Sequence, residues 1–153
     1  MYNQSDPNKG AAYLSDVSIM IRNMLDATFD DFWTLQKELD FIIQYCQVQE
    51  QILEYKVDLK ITCNEKNKAL LLPSLILQPF IENCFVHGFQ NTDEEKIIDL
   101  NIKTEYNYIL INIVNNSSIN KEKQEQKIHV SRAMQITLGR LQSAYPKYKN
   151  IEK

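Results

Sequence analysis

The sequence has no excess of positive charge: 17 Lys and Arg stand against 20 Asp and Glu, giving a formal net charge of −3 and a pI near 5.4. Without a basic field to attract a phosphate backbone, nucleic acid is not an expected partner, and the eight Tyr do not change that. Cysteine is sparse too. Cys46, Cys63 and Cys84 are odd in number and form no C-x-x-C pair, which fits a reducing compartment better than a disulfide framework, with the thiols expected to act as small buried apolar groups. The two histidines, His87 and His129, lie far apart without a Cys pair, which argues against zinc, and no Ser/His/Asp motif is present. Long apolar runs are also missing. The longest is interrupted at Pro73, far short of the roughly 20 residues that span a bilayer. Residues 1–9 lack the basic-then-apolar order of a signal peptide. The piece is therefore expected to be soluble, with any membrane anchor of a parent protein lying outside it.

What is present is enough apolar material, 44% of 153 residues, for one compact domain or a domain with a helical extension. Residues 11–28 place Leu14, Val17, Ile21, Met24 and Thr28 at alternating steps of three and four, a narrow seam suited to another helix. The run Asp30, Asp31, Phe32, Trp33 breaks that pattern. Thr34 is then an expected N-cap for a second helix with the stripe Leu35, Leu39, Ile42, Cys46, Gln49 and Leu53. The two helices read as a hairpin, and the pattern fits a pair covering a sheet and a dimerising stalk equally well. After Glu54 the period changes to two: Tyr55, Val57, Leu59 and Ile61 share one face of a half-buried strand. Residues 64–68 form a polar loop. Pro73 is expected in the first turn of a third helix and Gly88 at its C′ position. Ile98, Leu100 and Ile102, then Ile109, Ile111 and Ile113, alternate with polar residues around Tyr106-Asn107 and predict a β-hairpin. A polar connection over 115–127 leads to a last helix from about Ser131, with Met134, Leu138, Leu141 and Ala144 on one stripe and Pro146 as its stop. There is no internal repeat. This order predicts an α+β sandwich with helices on one sheet face.

The third helix carries an unusual stripe. At 100° per residue, Ile76, Phe80, Asn83 and His87 fall within about 60° of one another, so two polar side chains share a face with core residues. A buried amide or imidazole without a partner costs roughly 1–3 kcal/mol, so protein, water or a ligand should bond to them. Packing and backbone capping are the commoner fates of such residues, and His87 beside Gly88 also suits a helix C-terminus. The alternative is a ligand site.

The residues Pro73, Leu77, Gln78, Pro79, Phe80, Ile81, Glu82, Asn83, His87 and Gly88 are similar to the first nucleotide motif of bacterial sensor histidine kinases of the autolysin-sensor type, which pair with LytTR response regulators. Upstream, Tyr13-Leu14-Ser15-Asp16, Ile21-Arg22, Leu35, Glu38, Leu39 and Tyr45 resemble the helical segment that precedes this motif. Downstream, Ser131, Ala133, Met134, Ile136, Thr137, Arg140 and Leu141 look like one version of the last nucleotide-box helix. The resemblance implies a GHKL (Bergerat-type) two-layer α/β sandwich preceded by a helical hairpin. Residues 1–53 would form a dimerisation-like helical segment, and 54–153 an ATP-binding domain without its closing strands. It also implies ATP and Mg²⁺ as cofactors and a response regulator as partner. A homodimer through residues 11–53 and a cytoplasmic location, as part of a membrane-anchored sensor, follow from the same resemblance. Asn83 would hold Mg²⁺ through its side-chain oxygen, a hard ligand for a hard cation. Glu82 would act as the catalytic carboxylate, orienting a metal-bound water or assisting proton transfer, and His87 would contact phosphate.

The sequence departs from the family at the opposite wall. Where the family has Asp-x-Gly, this chain reads Asn115-Asn116-Ser117. The Asn115 oxygen still accepts a bond from an adenine amino group but without charge assistance, which roughly halves a strong interaction. A side chain at Ser117 restricts the positive φ and close approach that Gly permits. Ser131 and Ala133 replace glycines at the start of the last helix, and Ser131 and Thr137 would contact nucleotide or, more commonly for such residues, cap and back-bond within the helix. Neither His lies in the family's Pro-His-Phe context, so the phosphoacceptor is expected outside this chain. The closing strands are expected to be missing, leaving a sheet edge for another chain to cover. Two readings follow. One is an ATP-binding domain that positions Mg·ATP for phosphoryl transfer to an external His, in chemistry dominated by positioning and charge neutralisation. The other is a degenerate pseudokinase module for dimerisation or docking, with weak or no nucleotide binding. On either reading the fragment is not expected to be an active kinase by itself.

Overall fold

The computed structural model describes residues 7–89, 95–105 and 108–116. The expected connection after Asn116 and the expected last helix lie outside them. Helix α1 spans Pro7–Asp26 and helix α2 Leu35–Leu53, with a short strand β1, Phe32–Thr34, between them. Thr34 is the N-cap of α2, its hydroxyl accepting a bond from the Lys37 N–H at 3.2 Å, and Glu54 closes the helix in the left-handed region at φ 56°. The expected stripe of α2 is buried at Leu35, Leu39, Ile42 and Cys46. A second stripe, Phe41, Tyr45 and Val48, is buried beside it, so α2 is enclosed on a wide arc.

The α1 seam differs from expectation. Leu14 and Ile21 are 66% and 49% exposed, and the face packed inward is Tyr13, Val17, Met20, Met24 and Ala27. The physical reason is polar. Asn23 Nδ2 donates to Gln44 Oε1 at 3.0 Å, and Gln51 Nε2 donates to Asp16 Oδ2 at 3.1 Å. Asp16 and Asn23 lie on the same stripe as Met20 and Ala27, and their bonds to α2 fix the rotation of α1.

Strand β2, Val57–Cys63, pairs in parallel with β4, Lys96–Glu105, and β4 pairs antiparallel with β5, Tyr108–Asn115, giving the order β2-β4-β5. A parallel pair needs a crossover, and here it carries β3, Leu71–Pro73, and the helix α3, Gln78–Asn83. Period-two burial holds in all three long strands: Val57, Leu59 and Ile61, then Ile98, Leu100 and Ile102, then Ile109, Ile111 and Ile113 face one side. That side packs on α2 and α3 in one apolar cluster, which includes Leu35, Ile42, Ile81, Phe85, Ile98 and Leu100. Asp58, Lys60 and Asp99 face the opposite, exposed side. The result is an α+β arrangement with helices on one sheet face. At the α2–β2 junction, Glu50 accepts bonds from Val57 N–H at 2.7 Å and Lys56 Nζ at 2.9 Å, so helix and strand are tied where the period changes.

Two features were not legible in the sequence pattern. β1 pairs with β3 in a small ladder, Trp33 opposite Leu72 and Phe32 opposite Pro73. Pro73 therefore ends a strand instead of starting a helix, and Pro79 occupies the first turn of α3. The expected single helix from 73 to 88 is thus a strand, a turn, one short helix and a π-helical turn, Cys84–Gly88.

Candidate functional site

The segment from Ser74 to Gly88 is built by tertiary contacts. Ser74 is buried; its N–H donates to Asp31 O at 3.1 Å and its hydroxyl to Asp30 O at 2.6 Å. Leu75 sits in the left-handed region at φ 57°, uncommon for a branched side chain and costing on the order of 1–2 kcal/mol. The fully buried carboxylate of Glu38 on α2 accepts the N–H of Leu75 and, at 3.2 Å, that of Leu77. Leu77 precedes α3, which has no side-chain cap of its own.

Glu82 and Asn83 end α3 and are both half-buried. The helix then widens: Phe89 N–H reaches back to Cys84 O at 3.0 Å, a five-residue step. This turn puts Cys84 and Phe85 in the core, where Phe85 meets Tyr45 and Phe89 edge-on at centroid distances of 5.9 and 5.6 Å. It leaves Val86 and His87 exposed. The stripe expected from a uniform helix is therefore split: Ile76 is buried, Phe80 and Asn83 are half-buried, and His87 faces solvent. Tyr45 lies close enough to Glu82 to feel its charge; burial first, then that carboxylate, pushes the phenol up to about 12.

Gly88 is buried, and its φ is not positive, so glycine is not required there by a left-handed C-cap. It is required by close approach. A Cβ on Gly88 would lie 2.1 Å from Asn115 Nδ2 and 3.1 Å from Asn115 Cγ. The end of the nucleotide-motif segment and the end of β5 thus meet at a residue without a side chain. Asn115 Nδ2 is buried there without a hydrogen-bond partner among the described residues. Asn116 fixes the approach, its Oδ1 accepting from Ile97 N–H at 2.6 Å and its amide donating to Glu95 O. Of the expected site residues, Asn115 meets the motif segment at Gly88, Glu82 and Asn83 are half-buried at the end of α3, and His87 is exposed. Ser117, Ser131, Ala133 and Thr137 lie outside the described residues, as does His129.

Glu38, Ser74 and Asn116 were missed as site-building residues. Glu38 was visible in principle: it stands at steps of three and four from Phe41, Tyr45 and Val48, a charge in register with an apolar stripe. Ser74 and Asn116 carry no such signal, since their partners are backbone groups distant in sequence.

Among the described residues no group of three or more His, Cys, Asp or Glu gathers as a metal cage. Mg²⁺ beside a nucleotide takes only one or two protein oxygens plus phosphate and water. Glu82 and Asn83, consecutive residues at the end of α3, carry oxygen donors of the kind that requirement calls for, and Asn115 Nδ2, an N–H donor suited to a nucleotide acceptor and not to the cation, is without a partner among the described residues.

With this geometry in place, comparison with known proteins shows a weak similarity to sensor proteins, sensor histidine kinases among them. In particular, it is 24% identical over 111 residues to the sensor protein LytS of Staphylococcus epidermidis strain RP62A, covering 72% of this chain and 19% of that protein. It is 26% identical over 117 residues to the sensor histidine kinase/phosphatase LytS of Staphylococcus aureus strain Mu50, covering 75% of this chain and 20% of the relative. The chain spans about a fifth of the length of the curated relatives it matches. No family model matches it. No helix among the described residues is long and apolar enough to cross a membrane.

Proposed function

We propose that this chain is the GHKL-type ATP-binding part of a two-component sensor histidine kinase, presenting Mg·ATP for phosphoryl transfer to a His outside it. The observation that carries the reading is the approach of Gly88 to Asn115, whose Nδ2 has no hydrogen-bond partner among the described residues, with the oxygen donors of Glu82 and Asn83 on the helix leading to Gly88. Relatives named as sensor histidine kinases support the same class. Asn83 and Glu82 would hold and orient the metal, which when bound would neutralise phosphate charge. His87, at the exposed margin, would meet phosphate oxygen, and Asn115 would meet the base. The phosphoryl group would pass onward to a response regulator of LytTR type, and the α1–α2 hairpin would join two copies in the cytoplasm.

Titration calorimetry with Mg·ATP tests the reading. Binding is expected for the folded chain, and Asn83→Ala should abolish it. Asn115→Asp, which restores charge to the base contact, should tighten it by about tenfold, the usual gain of a charge-assisted bond over a neutral one. No heat from a folded sample would sink the nucleotide reading in favour of a docking module without nucleotide.

A further inference from the structure

The turn Ser74–Leu77 is gripped from two sides, and neither grip belongs to the nucleotide motif. The connector after α1 holds Ser74 through Asp30 O and Asp31 O. From the other side, α2 holds Leu75 and Leu77 through Glu38, which is 0% exposed and lies in the first helical turn, where the helix dipole favours a carboxylate. Each carboxylate oxygen takes one backbone N–H. One of those belongs to Leu75, whose left-handed conformation is unfavourable without such a restraint. The other belongs to Leu77, whose carbonyl in turn accepts the first bonds of α3, from Phe80 N at 3.2 Å and Ile81 N at 3.3 Å. Glu38 thus acts as a cap supplied from another helix to a six-residue helix that lacks its own. A helix this short is not stable alone, so its position is set by its anchors.

We propose that Glu38 is a positioning residue: through the 74–77 turn it sets where α3 presents Glu82 and Asn83, and it makes the α1–α2 hairpin and the candidate site move together. This rests on the nucleotide reading above for its functional consequence and on the turn geometry alone for the positioning. The coupling gives a shift of α2 a direct route to Asn83 through two hydrogen bonds and one helical turn.

Glu38→Gln keeps the shape and removes the charge, so the two acceptor bonds weaken. Amide exchange at Leu75 and Leu77 is expected to quicken, and Mg·ATP to bind more weakly, each by about tenfold. NMR resonances of Glu82 and Asn83 should shift. Val48→Ala, a cavity ten residues further along α2 that leaves both Glu38 bonds in place, is the control for lost packing and should change none of these beyond about twofold. Glu82 and Asn83 resonances that shift in Glu38→Gln, while the wild type binds no Mg·ATP, would sustain the positioning and overturn only the nucleotide reading. Unmoved resonances and unchanged affinity in Glu38→Gln, with faster exchange or lower Tm alone, would overturn the positioning. Should Glu38→Gln fail to fold, Glu38→Asp, which keeps the charge but withdraws it by one methylene, is read by the same criteria.

Discussion

At the scale of single residues, the contact between Gly88 and Asn115 shows how one missing Cβ shapes the candidate site. Gly88→Ala forces the Asn115 amide aside, since 2.1 Å is well inside van der Waals contact. Overpacking of this kind costs about 1–3 kcal/mol. In an Asn115→Ala background the obstruction is gone, so the penalty for Gly88→Ala should fall by about 0.5–3 kcal/mol, the range seen for residues in contact. A urea-denaturation double-mutant cycle measures this; equal penalties in the two backgrounds would show that the contact has no energetic consequence.

The buried thiols and phenol set the alkaline limit of the fold. Burial pushes Cys46 from 9.0 up to about 12, with neighbouring Cys84 and Glu50 adding to it, and burial pushes Cys84 up to about 11. Tyr45 rises from 10.0 to about 12. A group held neutral in the fold stabilises it fully below its unfolded pKa. That stability is lost as pH rises through the folded pKa, because the unfolded chain gives up the proton first. Stability from these groups should therefore be flat through neutral pH and decline from about 9 toward about 12, lowering the urea midpoint. A Cys46→Ala, Cys84→Ala double variant should show a shallower decline; an unchanged slope would exclude the thiols as its cause.

At the scale of elements, the sequence between Pro73 and Gly88 looks like one helix and folds as four pieces. Apolar periodicity cannot separate these cases, because Leu75, Ile76 and Leu77 satisfy a helical stripe and an inward-packed turn alike. The turn is decided by Glu38 and Ser74, whose partners lie 37 to 47 residues away. Leu77 is 2% exposed, so Leu77→Ala should cost about 2–5 kcal/mol through the cavity it leaves. Leu75→Gly also deletes an apolar side chain, yet it relieves the left-handed backbone, so its net cost should stay below about 1 kcal/mol. Chemical denaturation of both variants checks the contrast; a loss at Leu75→Gly as large as at Leu77→Ala would mean the φ of 57° carries no strain.

At the scale of the whole molecule, α2 serves two structures. It is tied to α1 by hydrogen bonds from side-chain amides and shares the apolar cluster with the sheet and α3. The outer side of α1 keeps Leu14, Ile21 and Leu25 exposed at 66%, 49% and 58%, in steps of seven and four. A partner helix would bury this seam as coiled-coil helices do. The proposed homodimer is thus expected to use the outer seam of α1, and Ile21→Glu should weaken self-association in sedimentation equilibrium while leaving Tm within about 1–2 °C, since surface changes typically stay within ±0.5 kcal/mol. A wild type that stays monomeric at high concentration would remove the seam as an interface.

The amino-acid sequence by itself determined the two long helices, the Thr34 cap, the alternation of β2, β4 and β5, and the kinship with sensor kinases, because each is written in local spacing or in contiguous residues. Only the tertiary structure decided the rotation of α1, the β1–β3 ladder, the broken course of the third helix and the meeting of Gly88 with Asn115. Those outcomes rest on hydrogen bonds and close contacts between residues far apart in the chain, and a one-dimensional pattern records which faces are apolar without recording which distant group will satisfy a given N–H or amide.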